Sequence, residues 1–392
     1  MKSSSRRHRI SLALTAAMSF GGVTGVATVA FQSVAWGACD GTAVDTKTVT
    51  LPVAAAQINA PAAWAAGFDG TGVDVAVIDT GVVAVPGLSS AGKIVDAADL
   101  STDSGNEALR FRDGEGHGTS MAGIIAGDGS GGPHSKGVAP GARIINVKVG
   151  ASDGSVDISQ VVAAIDWVVQ NKTSFGRNIR VINLSYTTDA ATDYKSDPLT
   201  HAVETAWKAG IVVVASAGND GKSLQRLGNP AADPFVLAVG AASFDAATAK
   251  FTVPDWSSQG NGTRNPDVVA PGTDIASLRV PGSLLDASFP AARFYDPLTC
   301  TSFFRGSGTS QSAAVTSGAV ALLLQQRPSL TPDQIKALLK SSARSASVGA
   351  QKQGSGVIDV AALLAAPTPN TAQSLRLRPA RVLSKRPAVP IT

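Results

Sequence analysis

The chain has 392 residues, 44% of them hydrophobic and 16% charged, with 40 Gly and 21 Pro; this balance excludes a disordered, fibrous or coiled-coil protein and allows one large or two medium domains. The net charge of +4 sits at the ends, because residues 1–37 hold four bases and residues 371–392 hold five, and neither stretch holds an acid. Between them 24 bases face 29 acids, which argues against nucleic acid as a partner.

In chain order, a basic start from Lys2 to Arg9 precedes an apolar, small-residue stretch from Ile10 to about Ala35. That is the pattern of a cleaved export signal over residues 1–37, with cleavage after Ala35 or Gly37. A retained anchor is the rival, disfavoured by many Gly, Ser and Thr and few Leu or Ile. Ser5-Arg6-Arg7 matches a twin-arginine signal only faintly, since Arg9 stands where an aromatic residue is wanted. No later stretch reaches ~18 apolar residues, so no membrane span is expected after cleavage. The two cysteines, Cys39 and Cys300, are expected to pair and pin the mature N-terminus. Two free thiols, or a lipidated Cys39, are the alternatives.

The body alternates strands and helices. Residues 73–78 form an apolar run ending at Asp79-Thr80-Gly81, and residues 143–149 form another. Ile158, Val161, Val162, Ile165, Val168 and Val169 then recur at helical spacing. Strands are expected at 179–184, 211–215 and 235–239. A helix is expected from Asp197-Pro198 to Gly210, and two more over 312–326 and 332–342. Hydrophobic strands separated by helices imply an α/β domain: a three-layer αβα sandwich on a mainly parallel sheet, with sites beyond the carboxyl ends of the strands. From Pro367 the chain is rich in Pro, Thr, Ser and Arg and reads as a basic disordered tail, residues 367–392.

Four segments carry chemistry. Asp79-Thr80-Gly81-Val82 follows the first strong strand. Asp-Thr-Gly also marks aspartic proteases, but those need a second carboxylate, and there is no second Asp-Thr-Gly. Gly116-His117-Gly118-Thr119 sets a histidine between glycines that let backbone and substrate approach. His134 and His201 lack such a setting and read as surface residues. Asn219, in Ala217-Gly218-Asn219-Asp220-Gly221, is either a turn residue or a donor to a developing oxyanion. Ser310, in Gly306-Ser307-Gly308-Thr309-Ser310, opens an apolar helix, where backbone N–H groups and the helix dipole favour negative charge.

Together these segments make an acyl-transfer apparatus in the order Asp, His, Asn, Ser. The chain here resembles the subtilisin-like serine proteases, the subtilases, from about Ala60 to Leu364. Linking segments share the likeness: Ala60-Pro61-Ala62-Ala63-Trp64, Gly137-Val138-Ala139-Pro140, Val181-Ile182-Asn183-Leu184-Ser185, Trp256-Ser257-Ser258-Gln259-Gly260 and Val269-Ala270-Pro271-Gly272. The resemblance implies a secreted serine endopeptidase with a catalytic domain over residues 56–366, preceded by a segment 38–55. In it Ser310 is the nucleophile, His117 the base and Asp79 its orienting partner. Asn219 and the Ser310 N–H bind the oxyanion. Ser185, Tyr186 and Thr187 (with Thr188) form one wall of the substrate pocket, Ser216, Ala217 and Gly218 the other, and Gly228 lies near the floor. The partner implied is a polypeptide substrate and the chain is expected to be a monomer. No metal or organic cofactor is implied. Structural calcium occurs in the family but no ligands are placed; the acidic stretch from Asp96 to Glu115 is either a calcium loop or, as expected here, a solvated loop.

Three departures stand out. Thr187 and Thr188 replace the family's usual glycines and should narrow the primary pocket or shift the docked peptide. Gln311 replaces a usual Met beside the nucleophile. About 20 residues between the signal and the domain leave no room for a folding pro-domain. Within the peptidase reading a narrow processing enzyme competes with a degradative one. The alternatives are a catalytically silent binding module and a peptide acyl transferase or cyclase.

Overall fold

The computed structural model of the chain describes residues 10–11, 39–188, 193–223 and 225–374. The export signal read at 1–37 lies outside these residues, apart from Ile10–Ser11.

The apolar runs become the centre of a parallel sheet. β1 (Asp74–Asp79) is buried along its whole length, as a strand covered on both faces must be. It is followed by β2 (Ile94–Asp99), α1 (His117–Ala126), β3 (Arg143–Lys148), α2 (Ile158–Asn171) and β4 (Ile179–Leu184). Then come α3 (Pro198–Lys208), β5 (Val212–Ser216), β6 (Leu237–Asp245), β7 (Lys250–Thr252), β8 (Val268–Pro271), α4 (Thr309–Gln326) and α5 (Pro332–Ser341). The strand order is β7-β6-β5-β4-β1-β3-β2, with β8 also paired to β6. All neighbours are parallel except β7, which returns antiparallel along β6. β1 sits centrally, with Asp79 opposite Lys148 at its carboxyl end.

Helix boundaries follow local chemistry. Asp157 and Gln160 close a capping box at the start of α2. Val161, Ala164, Ile165 and Val168 form its buried stripe. Asp197 caps α3 ahead of Pro198. α2 and α3 pack together over β1 and β5, while α1 and α4 pack together, α4 against β4, β5, β6 and β8 and α1 against β1 and β3. The result is the expected three-layer α/β sandwich. α4 is buried from Thr309 to Leu324, so it is the central helix of the core. It starts at Thr309, three residues before the expected 312, which places Ser310 in its first turn.

A second, five-stranded sheet was not expected. Its order is Thr42–Ala43, Arg293–Tyr295, Ser302–Gly306, Ile275–Leu278, Val49–Thr50. It takes up the N-terminal segment, and Cys39 is joined to Cys300. The first residues of the expected tail are also held. Arg327 donates to Thr368 Oγ1, and Asp333 accepts from the Ser374 N–H. Residues 375–392 lie outside the described residues.

Candidate active site

Asp79 ends β1, and His117 opens α1 from the adjoining loop. The His117 Nδ1–H donates to Asp79 Oδ1 at 2.8 Å, and both side chains are buried. Asp79 Oδ1 also accepts the Thr80 N–H at 2.8 Å. Close approach of the two loops requires glycine: a Cβ on Gly118 would lie 2.1 Å from the Gly81 carbonyl oxygen.

Two carboxylates that the sequence reading left in a solvated loop are buried here. Asp113 is 1% and Glu115 4% exposed, which corrects that expectation for the end of the acidic stretch. The reason is tertiary, because each finds N–H or O–H donors inside. Asp113 Oδ1 accepts from Thr80 Oγ1 (2.8 Å) and the Gly116 N–H (2.7 Å), and its Oδ2 accepts the Thr119 N–H (2.7 Å). Thr80 Oγ1 accepts the Gly118 N–H at 3.0 Å. Asp113 thereby ties the end of β1 to the start of α1, where helix N–H groups are otherwise unsatisfied. Glu115 Oε2 accepts the His117 N–H at 2.8 Å. The one sequence signal for this pair was acids two and four residues before the histidine.

The charges reinforce one another. Burial alone would lower the His117 pKa, but Asp79, then Glu115 and Asp113, offset it and raise it to about 9. Burial raises Glu115 to about 7, with Asp113 and Asp79 adding to that and His117 opposing it. Burial also raises Asp113, against the hydrogen bonds it accepts.

Ser310 lies in the first turn of α4, with its hydroxyl 3.3 Å from the Ser185 carbonyl oxygen. Ser185 Oγ donates back to the Ser310 carbonyl oxygen (3.1 Å) and accepts from Asn183 Nδ2 (2.9 Å). Asn219 Oδ1 accepts from the Thr309 N–H (2.9 Å) and Oγ1–H (3.0 Å), which fixes the amide with its NH₂ end away from Thr309. Sequence reasoning missed Thr309, which reads as an ordinary helix-start threonine. Ser310 is hydrogen-bonded to Ser185, just past the carboxyl end of β4, and β4 runs parallel to β1, so Ser310 and Asp79 share the carboxyl edge of the sheet.

The residues expected to line the substrate pocket lie where two strands end. Ser185 to Thr188 leave β4, and Ser216 to Gly218 leave β5. The Gly228 N–H donates to the Ala217 carbonyl oxygen (3.1 Å) and the Thr188 N–H to that of Asn229 (2.9 Å). A Cβ on Gly228 would stand 2.9 Å from Thr187 Cβ, so Thr187 lies against Gly228. Tyr186 is buried, and burial raises its phenol pKa. Of the other histidines, His201 is exposed, while His134 is half-buried, 3.9 Å from Asp296. Among the described residues no group of three or more His, Cys, Asp or Glu side chains is placed to hold a metal ion.

This arrangement on this sheet is that of the subtilisin-like fold. Residues 70–358 match the model of the subtilase family of peptidases, and the chain belongs to that family. It is 38% identical over 281 residues to serine protease AprX of Bacillus subtilis, covering 69% of this chain and 61% of that one. It is 33% identical over 302 residues to subtilisin E of the same species, covering 75% of this chain and 66% of the relative. The matches thus span less than two thirds of these relatives' own length. Among solved structures, fervidolysin from Fervidobacterium pennivorans, described as a keratinolytic enzyme related to subtilisin, superposes with a TM-score of 0.65 at 27% identity. That match covers 81% of this chain and 46% of fervidolysin.

Proposed function

We propose that the chain is an exported serine endopeptidase working through Asp79, His117 and Ser310. The observation that carries this reading is the buried 2.8 Å His117–Asp79 hydrogen bond at the start of a helix that packs against the central helix, whose first turn holds Ser310. Ser310 Oγ attacks the scissile carbonyl carbon as its proton passes to His117 Nε2. Asp79 holds the imidazole tautomer and stabilises the imidazolium. The proton then goes to the leaving amine, and water releases the acyl group by the reverse sequence. The oxyanion is met by Asn219 and the Ser310 N–H. Substrate is an extended polypeptide paired with the strand ends at Ser185–Thr187 and Ser216–Gly218. Thr187 over the floor at Gly228 favours a small side chain before the scissile bond. The Cys39–Cys300 disulfide and the basic-then-apolar start of the chain support export.

The test is labelling of the secreted protein with a fluorophosphonate serine probe. Wild type should label at Ser310 and Ser310→Ala should not, with the fold unchanged. A folded wild type that stays unlabelled would overturn the reading in favour of a silent binding module. Product masses separate hydrolysis from acyl transfer to a peptide amine.

A further inference from the structure

We infer that the Gln311 carboxamide is a third hydrogen-bond donor to the oxyanion, beside Asn219 and the Ser310 N–H; this rests on the peptidase reading above. Gln311 follows the proposed nucleophile and is 2% exposed. Its Oε1 is buried without a hydrogen-bond partner among the described residues. The lack of a side chain at Gly308 locates what it faces. A Cβ built there would stand 2.8 Å from Gln311 Oε1, 3.5 Å from Asn219 Nδ2 and 3.7 Å from the Ser310 nitrogen. Two carboxamides and one backbone N–H therefore converge on a single small space that only glycine leaves open.

Chemistry decides which end of Gln311 faces that space during the reaction. Thr309 occupies the Asn219 oxygen, so Asn219 presents its NH₂. The Gln311 amide is not so tied. Rotation about its last torsion exchanges Oε1 for Nε2 without breaking a hydrogen bond to a described residue. As the Ser310 Oγ–carbon bond forms, the carbonyl π pair moves onto oxygen and the serine proton moves to His117. A negative oxygen then repels a buried acceptor and attracts an N–H. The donor orientation is selected when charge develops, so the contact is stronger in the transition state than in the bound substrate.

The experiment compares wild type with Gln311→Met and Gln311→Glu. Met keeps the chain length and removes both donor and acceptor; Glu keeps the shape and, ionised, offers only acceptors. Each is labelled at Ser310, its melting temperature is taken, and kcat and KM are measured on a peptide substrate. Inhibition is measured with a peptide aldehyde, whose serine adduct carries the oxyanion, and with the matching peptide alcohol, which forms no adduct. Both variants should still label; Gln311→Met should melt like wild type, and Gln311→Glu lower, because it buries an unpaired charge. For Gln311→Met, kcat and aldehyde affinity should fall on the order of 10²-fold, the size established for such a donor on subtilisin itself, with KM and alcohol affinity held to within about threefold. Gln311→Glu should lose more of both. Wild-type kcat and aldehyde affinity in whichever variant folds would overturn the inference while leaving the peptidase reading intact. An unlabelled wild type would overturn that reading, and this inference with it.

Discussion

At the scale of single residues, three carboxyl groups surround one imidazole. Asp79 bonds the His117 ring, Glu115 accepts its backbone N–H and Asp113 holds the loop on either side. All three favour the imidazolium, so its pKa is raised to about 9. A general base must be neutral, so kcat/KM on a neutral peptide should rise with pH into the alkaline range. Glu115 titrates near 7 and is therefore charged over much of that rise. Removing a negative charge destabilises the imidazolium and lowers the His117 pKa. Glu115→Gln should thus move the rising limb of the pH–rate profile to lower pH, with more activity near neutrality. A pH profile of kcat/KM decides it, and an unmoved or alkaline-shifted limb would show that Glu115 does not tune the base. Gln keeps a side-chain oxygen for the His117 N–H, so the loop geometry should persist.

At the scale of elements, the site is a meeting of strand ends and helix starts, and that much was written in the chain. Asp79 closes an apolar run, His117 stands between glycines, and Ser310 precedes a long apolar helix. The surrounding supports were not legible. Asp113 and Glu115 look like members of an acidic, solvated run until folding buries them against Thr80 and the start of α1. Thr309-Ser310-Gln311 looks like a polar cap, yet α4 buries all three as its first turn. The second sheet escaped notice because strands of two to five residues show no periodicity. The threonines at 187 and 188 predict a narrowed pocket in the proposed peptidase, and Thr187 lies against Gly228. Thr187→Gly should therefore open the floor. Selectivity for an aromatic over an alanine residue before the scissile bond should rise by about tenfold or more, the usual worth of pocket-filling groups. Competing peptide libraries read this directly. Unchanged selectivity would assign the pocket boundary to other residues.

At the scale of the whole molecule, the question is what holds the N-terminal segment to the body. Asp40 reaches Arg279 (3.0 Å) and Arg293 (3.1 Å), and both arginines also pair with the buried Asp286. Thr42–Ala43 runs parallel to Phe294–Tyr295, and the Val44 N–H donates to the Tyr295 carbonyl oxygen. The Asp40 side chain is 46% exposed, so solvent screens its ion pairs and their net worth is small. The two-residue strand adds few ladder bonds. The Cys39–Cys300 link closes a loop with a sequence separation of 261 and should outweigh both, contributing about 2–4 kcal/mol by restricting the unfolded chain. Cys39→Ser with Cys300→Ser should lower the melting temperature by several degrees. Asp40→Ala should lower it much less. The same drop should appear when wild type is unfolded under reductant, because the link and not the serine substitutions is responsible. Calorimetry of the three proteins with and without reductant separates these terms. A double variant melting with oxidised wild type would show that the ion pairs and the second sheet hold the segment without the disulfide.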